Sequence, residues 1–218
     1  MPAGQRVLGL TFVAALVVTL GARSAAAQRR GHHVHDGFYF RGSIGPASVA
    51  FDQRSDLPNV PEGNVRGPGV ASDLMIGGTP ARGLVVGGAL VATLAPDPEL
   101  ESGRVQSNND ATWVIIGPFV DFFFDRTKGF HVGAAAGPSA LWYRDLDAEQ
   151  NERNAALAGV GVAGWAGYDA WISSNWSLGG YLRLTAAWTR REVDYSGSLV
   201  DEQANGTTLA ALFTALYH

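Results

Sequence analysis

The chain has 218 residues, with 16 basic and 20 acidic side chains, 28 glycines, 10% aromatic residues and no cysteine. Without cysteine there is no disulfide framework, no thiolate metal site and no thiol to carry an acyl anchor. A net charge of −4 with no concentrated basic patch excludes a nucleic-acid partner. Low charge with abundant Gly, Ala and aromatic residues suits an exported β-protein with a lipid-facing surface.

The N-terminal segment sets the expected compartment. Arg6 precedes an uncharged apolar run from Val7 to Leu20, and Ala25-Ala26-Ala27 offers a small-x-small cleavage site before Gln28. That is the pattern of a secretory signal peptide over 1–27. Its removal takes away Arg6 and Arg23 and no acid. Residues 28–218 then carry 14 basic and 20 acidic side chains, a net of −6. Residues 28–36 form an N-terminal tail containing His32, His33 and His35. Three histidines in four positions can bind a transition metal weakly, but a flexible tail supplies no outer groups to orient them. The tail is therefore expected to be a solvated linker, with no metal site and no cofactor.

From 37 onward the chain reads with period two in eight segments, near 37–51, 69–79, 83–95, 111–124, 129–143, 156–172, 175–190 and 206–217. The intervening gaps alternate in length. Long ones at 52–68, 96–110, 144–155 and 191–205 hold most of the charge, whereas 80–82, 125–128 and 173–174 are short turns. Strands that run up and down a membrane barrel have this alternation, with long external loops at one end and short periplasmic turns at the other. The expected fold is therefore all-β, an eight-stranded antiparallel up-and-down transmembrane β-barrel over 37–218. An even number of strands leaves both termini on the short-turn, periplasmic side.

The faces of the segments agree. In 175–190, Trp176, Leu178, Leu182, Leu184, Ala186 and Trp188 share one face, and Ser177, Tyr181, Arg183 and Thr185 share the other. Two tryptophans twelve residues apart on a tilted strand span roughly 30 Å, the depth of a lipid core between two aromatic girdles. A soluble ligand-binding barrel would leave this face exposed to water. Phe38, Phe40, Trp142, Trp176, Trp188 and Tyr217 are the predicted girdle. In the nearly all-apolar 111–124, Asp121 sets the phase: Val114, Ile116, Val120, Phe122 and Phe124 face lipid, and Trp113 faces the lumen.

The opening DGFYFRGSIGP, the Gly-and-aromatic strands, the loop alternation and the final strand TLAALFTALYH together resemble the small eight-stranded outer-membrane barrels of Gram-negative bacteria, the OmpA/OmpX-type barrel domain, over 36–218. The resemblance implies a cell outer-membrane location, contact with outer-membrane lipid and lipopolysaccharide, delivery through the barrel-assembly machinery by the C-terminal strand, and a monomer. Such barrels usually end on an aromatic residue, whereas here His218 follows Tyr217. With no further segment after the last strand in this sequence, the peptidoglycan anchoring of full OmpA-like proteins is not expected to carry over.

Inward phases place Arg41, Asp73, Asp121, His131, Asp169 and Arg183 in the lumen. Buried charges need partners, so these six are expected to pair, with Arg41 beside Asp73 and Asp121 beside His131 on neighbouring strands. Inward Gly87, Ala89, Gly133, Ala135, Gly137, Gly159, Gly161 and Ala163 would leave space for water unless Trp165 and Tyr181 fill it. Eight strands are too few for a general porin.

Two motifs carry no chemistry. GVGVAG at 159–164 matches a dinucleotide fingerprint but lies inside a strand rather than opening a helix. Asp121, His131 and Ser139 do not make a catalytic set, because Ser139 is eight residues along the strand from His131, more than about 20 Å away. The chain is thus expected to have no catalytic residues and to be no enzyme. Two functions stay open: a structural or surface-interaction barrel with acidic outer loops and a side-chain-filled lumen, or a narrow low-conductance channel for ions or small solutes.

Overall fold

The computed structural model describes residues 35, 37–55, 63–96, 99–100, 110–125, 127–146, 152–195 and 198–218. The expected signal peptide, together with His32 and His33, lies outside the described residues. Eight long strands make the wall: β1 (Phe38–Ser55), β2 (Gly63–Ala81), β3 (Leu84–Ala95), β4 (Ala111–Phe123), β5 (Phe130–Leu146), β6 (Glu152–Trp171), β7 (Trp176–Tyr195) and β8 (Ser198–Tyr217). Each pairs antiparallel with the next, and β1 also pairs with β8, so the sheet closes on itself. Closure removes both free edges. A two-residue strand at Glu99–Leu100 adds to β2 through Val65 and Arg66. Among the described residues there is no helix.

The short turns use local chemistry. Between β2 and β3, Gly83 takes φ +73°, a left-handed conformation that a side chain would disfavour, and its carbonyl accepts the Phe123 amide at 2.7 Å. Between β4 and β5, the Asp125 carboxylate accepts the Thr127 amide at 3.0 Å and closes an Asx turn.

The long connections are shorter than their charge suggests. The β7–β8 ladder runs to the pair Tyr195↔Ser198, so nearly all of 191–205 is paired strand rather than loop. Likewise β1 extends to Ser55, β2 begins at Gly63, β5 reaches Leu146 and β6 begins at Glu152. The outer face explains this. On β7 it is apolar from Trp176 to Trp188 and then polar at Arg190, Glu192 and Asp194; on β8 it is apolar from Tyr217 to Leu209 and then polar at Asn205, Gln203 and Asp201. A lipid-facing band of about 25 Å uses only part of a strand of this length. The remainder stands beyond the band as a polar collar at the long-loop end.

Pro46, Pro118 and Pro138 all point outward within the apolar band. Each removes an amide donor, and the β4–β5 ladder stops at Ile115↔Ser139 and resumes at Phe119↔Ala135.

Candidate functional site: the lumen

Odd-numbered positions of β1 to β7 and even-numbered positions of β8 face inward, and they fill the barrel. One apolar cluster includes Tyr39, Met75, Phe119, Phe123, Trp165 and Tyr181; a second, toward the collar, includes Val49, Phe51, Trp113, Leu141 and Leu157. Two of the inward glycines face large side chains. A Cβ at Gly133 would lie 2.5 Å from the Trp165 indole, and one at Gly161 would lie 2.5 Å from Ile115 Cδ1. At these two positions the missing side chain makes room for a large one from a neighbouring or opposite strand.

All six predicted lumen residues are on this inner wall, each at most 3% exposed. Their pairing differs from the expectation in one respect. Arg41 does not pair with Asp73, although Ser43, two residues along β1, is directly opposite Asp73 on β2. Instead Arg41 reaches across the ring. Its Nη1 lies 3.0 Å from Asp121 Oδ2 on β4, and its Nη2 donates to Asp169 Oδ2 on β6 at 2.8 Å. The Asp121 contact is an ion pair off the hydrogen-bonding direction, whereas the Asp169 contact is aligned. A guanidinium is long enough to span a narrow barrel and has a forked end that serves two carboxylates at once.

His131 completes this set as expected beside Asp121: Nδ1 is 3.0 Å from Asp121 Oδ1, and Nε2 is 3.4 Å from Asp169 Oδ2. Nδ1 thus faces a carboxylate, while Nε2 lies between the Asp169 carboxylate and Arg41 Nη2, 3.3 Å away. Tyr39 donates its hydroxyl to Asp121 at 3.1 Å, and Trp165 Nε1 donates to the other Asp121 oxygen at 3.3 Å. The Tyr39 and Tyr181 rings flank the Arg41 guanidinium at 5.4 and 5.3 Å.

One level further along β7, Arg183 crosses the lumen to Asp73 on β2 and donates to Thr93 Oγ1 on β3 at 2.7 Å. Tyr181 donates to the second Asp73 oxygen at 2.6 Å. Higher still, Trp113 Nε1 donates to Ser139 Oγ at 2.8 Å, so Ser139 is engaged far from His131 and no nucleophile-base pair forms. In the collar, Glu202 on β8 accepts from Tyr143 on β5 and pairs with Arg191 on β7, while Gln53 on β1 donates to Tyr143 at 3.2 Å.

The short-turn mouth departs most from expectation. His35 is fully buried rather than solvated. Its ring stacks on Phe123 at 3.8 Å and meets Trp171 at 4.6 Å, and its Nδ1 lies 2.7 Å from His218 Nε2. His218 turns inward after Tyr217 and contributes to the same cap, where its ring also meets Tyr39 and Phe123. Burial drew His35 out of the tail: its ring fills an aromatic recess that water would otherwise occupy. Among the described residues no group of three or more His, Cys, Asp or Glu side chains could hold a metal ion.

The predicted girdle residues all point outward. Phe38, Trp142, Trp176 and Trp188 are between 42% and 50% exposed, and Phe40 and Tyr217 are half-buried beside one another at the β1–β8 seam. Phe38 and Trp176 also pack on the Tyr217 ring, at 6.2 and 5.2 Å. Period two reveals which residues point inward, but not Tyr39, Tyr181, Thr93, Tyr143 and Glu202 as partners. Those depend on which inner positions the closed ring brings to one height.

No protein-family model matches the chain, and no curated protein does. Among solved structures, it is similar to the outer membrane protein OprG from Pseudomonas aeruginosa, with 12% identity and a TM-score of 0.54 over 86% of this chain and 100% of that one. It is also similar to the outer membrane protein AlkL, solved in lipid bilayers, with 11% identity and a TM-score of 0.50 over 88% of this chain and 93% of that one. At such identities the likeness is one of architecture, and the architecture is that of the small eight-stranded outer-membrane β-barrels.

Proposed function

We propose that the chain is an outer-membrane barrel with a closed lumen, whose role is structural or surface-interactive and is carried by the collar and loops at the long-loop end. Both termini then lie on the periplasmic side. The observation that supports a closed lumen is the set of ion pairs that cross it: Arg41 from β1 to β4 and β6, and Arg183 from β7 to β2. An ion or solute passing through would have to strip at least one buried charge of its partner, which costs several kcal/mol. The lipid band and girdle suit a monomer in lipid and lipopolysaccharide, with β8 as the segment read by the assembly machinery. Among the described residues Ser139 is engaged by Trp113 and lies far from His131, which supports a non-enzymatic role.

The runner-up is a narrow channel, and conductance separates the two. The refolded chain is placed in planar bilayers after a heat-modifiable band confirms folding, with Asp121→Ala and Arg183→Ala alongside. A silent wild type is expected. Reproducible small cation-selective steps that change in the variants would overturn the closed-lumen reading.

A further inference from the structure

The mouth at the short-turn end is capped by a pair of side chains from opposite ends of the chain. His35 precedes β1 and His218 follows β8, so both lie outside the spanning segments. Their facing nitrogens are 2.7 Å apart, a hydrogen-bond separation between two imidazoles. Such a bond holds one proton: one nitrogen donates and the other accepts. If both facing nitrogens are protonated, two N–H groups point at each other and the bond is lost.

We propose that His35 and His218 form a proton-operated clasp, which holds His35 in the short-turn mouth at neutral pH and lets it go in acid. The rings are otherwise held by aromatic stacking on Phe123 and Trp171, contacts that a neutral ring tolerates well. The titratable groups around them are Tyr39 and Arg41 on β1, Asp121 on β4, Lys128 in the β4–β5 turn, His131 on β5 and Asp169 on β6, and a polar contact from His35 to the Lys128 backbone favours the charged ring. Arg41 repels a new positive charge on either ring, and His131 opposes one on His35. Asp121 would attract one, but its two oxygens already serve Arg41, His131, Tyr39 and Trp165. Asp169 is likewise engaged by Arg41 and His131.

Burial, reinforced by His131 and Arg41, lowers His35 to about 3; burial, reinforced by His35 and Arg41, lowers His218 to about 2. The sign follows directly. A released ring takes up a proton near 6.5 and the docked ring does not, so the released state binds more protons below 6.5 and docking weakens as pH falls. Between neutrality and pH 5 the balance shifts toward release by about thirtyfold for each ring. Nothing in this geometry depends on which side of the membrane the mouth faces.

The experiment uses the folded chain in detergent micelles, with ring resonances of labelled histidine followed from pH 8 to 4. Release is reported by the Thr79 amide, which donates to the Gly37 carbonyl at 2.9 Å, two residues after His35. The expected result is that both rings stay neutral well below pH 6.5, share one proton, and then charge together as Thr79 exchange accelerates beyond the solvent effect. His35→Phe and His218→Phe keep an aromatic ring without a titrating group, and in both the Thr79 step should vanish. An unchanged Thr79 step in either variant would overturn the clasp. So would independent titration of the two wild-type rings near 6.5, which decides the matter even if neither variant folds.

Discussion

Arg41→Met removes the guanidinium that bridges β1 to β4 and β6 while keeping an unbranched, though shorter, side chain. Both carboxylates it serves are fully buried, at 3.0 and 2.8 Å. Removing one partner of a buried ion pair costs about 3–5 kcal/mol, because the other charge is left without compensation. Here two carboxylates lose their guanidinium, and Asp121 keeps only His131, Tyr39 and Trp165 while Asp169 keeps His131, which puts the loss near the top of that range, about 5 kcal/mol. The two flanking tyrosine rings lose a cation–π partner worth about 1 kcal/mol more. The loss comes from stranded charge rather than from lost packing. It follows that Arg41→Met combined with Asp121→Asn and Asp169→Asn, which leaves no unmatched charge, should recover to within about 2 kcal/mol of wild type. Urea unfolding in lipid vesicles, followed by tryptophan fluorescence and by the heat-modifiable band, measures all three. A single variant less than about 1 kcal/mol below wild type would refute the trans-lumenal bridge. A triple variant as damaged as the single would show that shape, not charge, holds this level of the lumen.

Gly133→Ala should destabilise by about 1–3 kcal/mol through overpacking against the Trp165 indole, and Trp165→Leu in the same chain should relieve most of it; the same urea titration reads both. Leu184→Arg, outward in the middle of the apolar band, should cost about 2–4 kcal/mol in lipid, while Gln203→Arg on the collar should be nearly silent. Equal effects at the two positions would mean that the boundary between band and collar is misplaced.

The wall was readable because a lipid-facing strand carries its signal in every second residue. Where that face meets hydrocarbon, as from Trp176 to Trp188, the apolar alternation marks the strand and its inner partners together. Beyond Trp188 the strand continues, but its outer face is polar and its inner face mixed, so Arg190 to Asp194 has the composition of a loop. Pairing is fixed there by the hydrogen-bonded ladder to β8, which composition does not encode. The same limit applies inside. Phase puts Arg41 and Asp73 on one wall, yet which residues meet depends on stagger around the closed ring, a property of all eight strands. His35 was hidden for a different reason. Its neighbours in the sequence are polar, and the aromatic recess that takes it is assembled from Phe123, Trp171 and His218, far away along the chain.

Ring closure also governs how the barrel can be made. Seven of the eight pairings join strands that follow one another, so those hairpins can form as soon as each pair exists. The eighth joins Phe40 to Tyr217 and needs nearly the whole chain. Until β8 arrives, β1 has one open edge and the growing sheet has another, both able to pair with a second chain. Folding speed should therefore be set by this single long-range meeting, because closing a loop of that length is the slow, entropically costly event in an otherwise local topology.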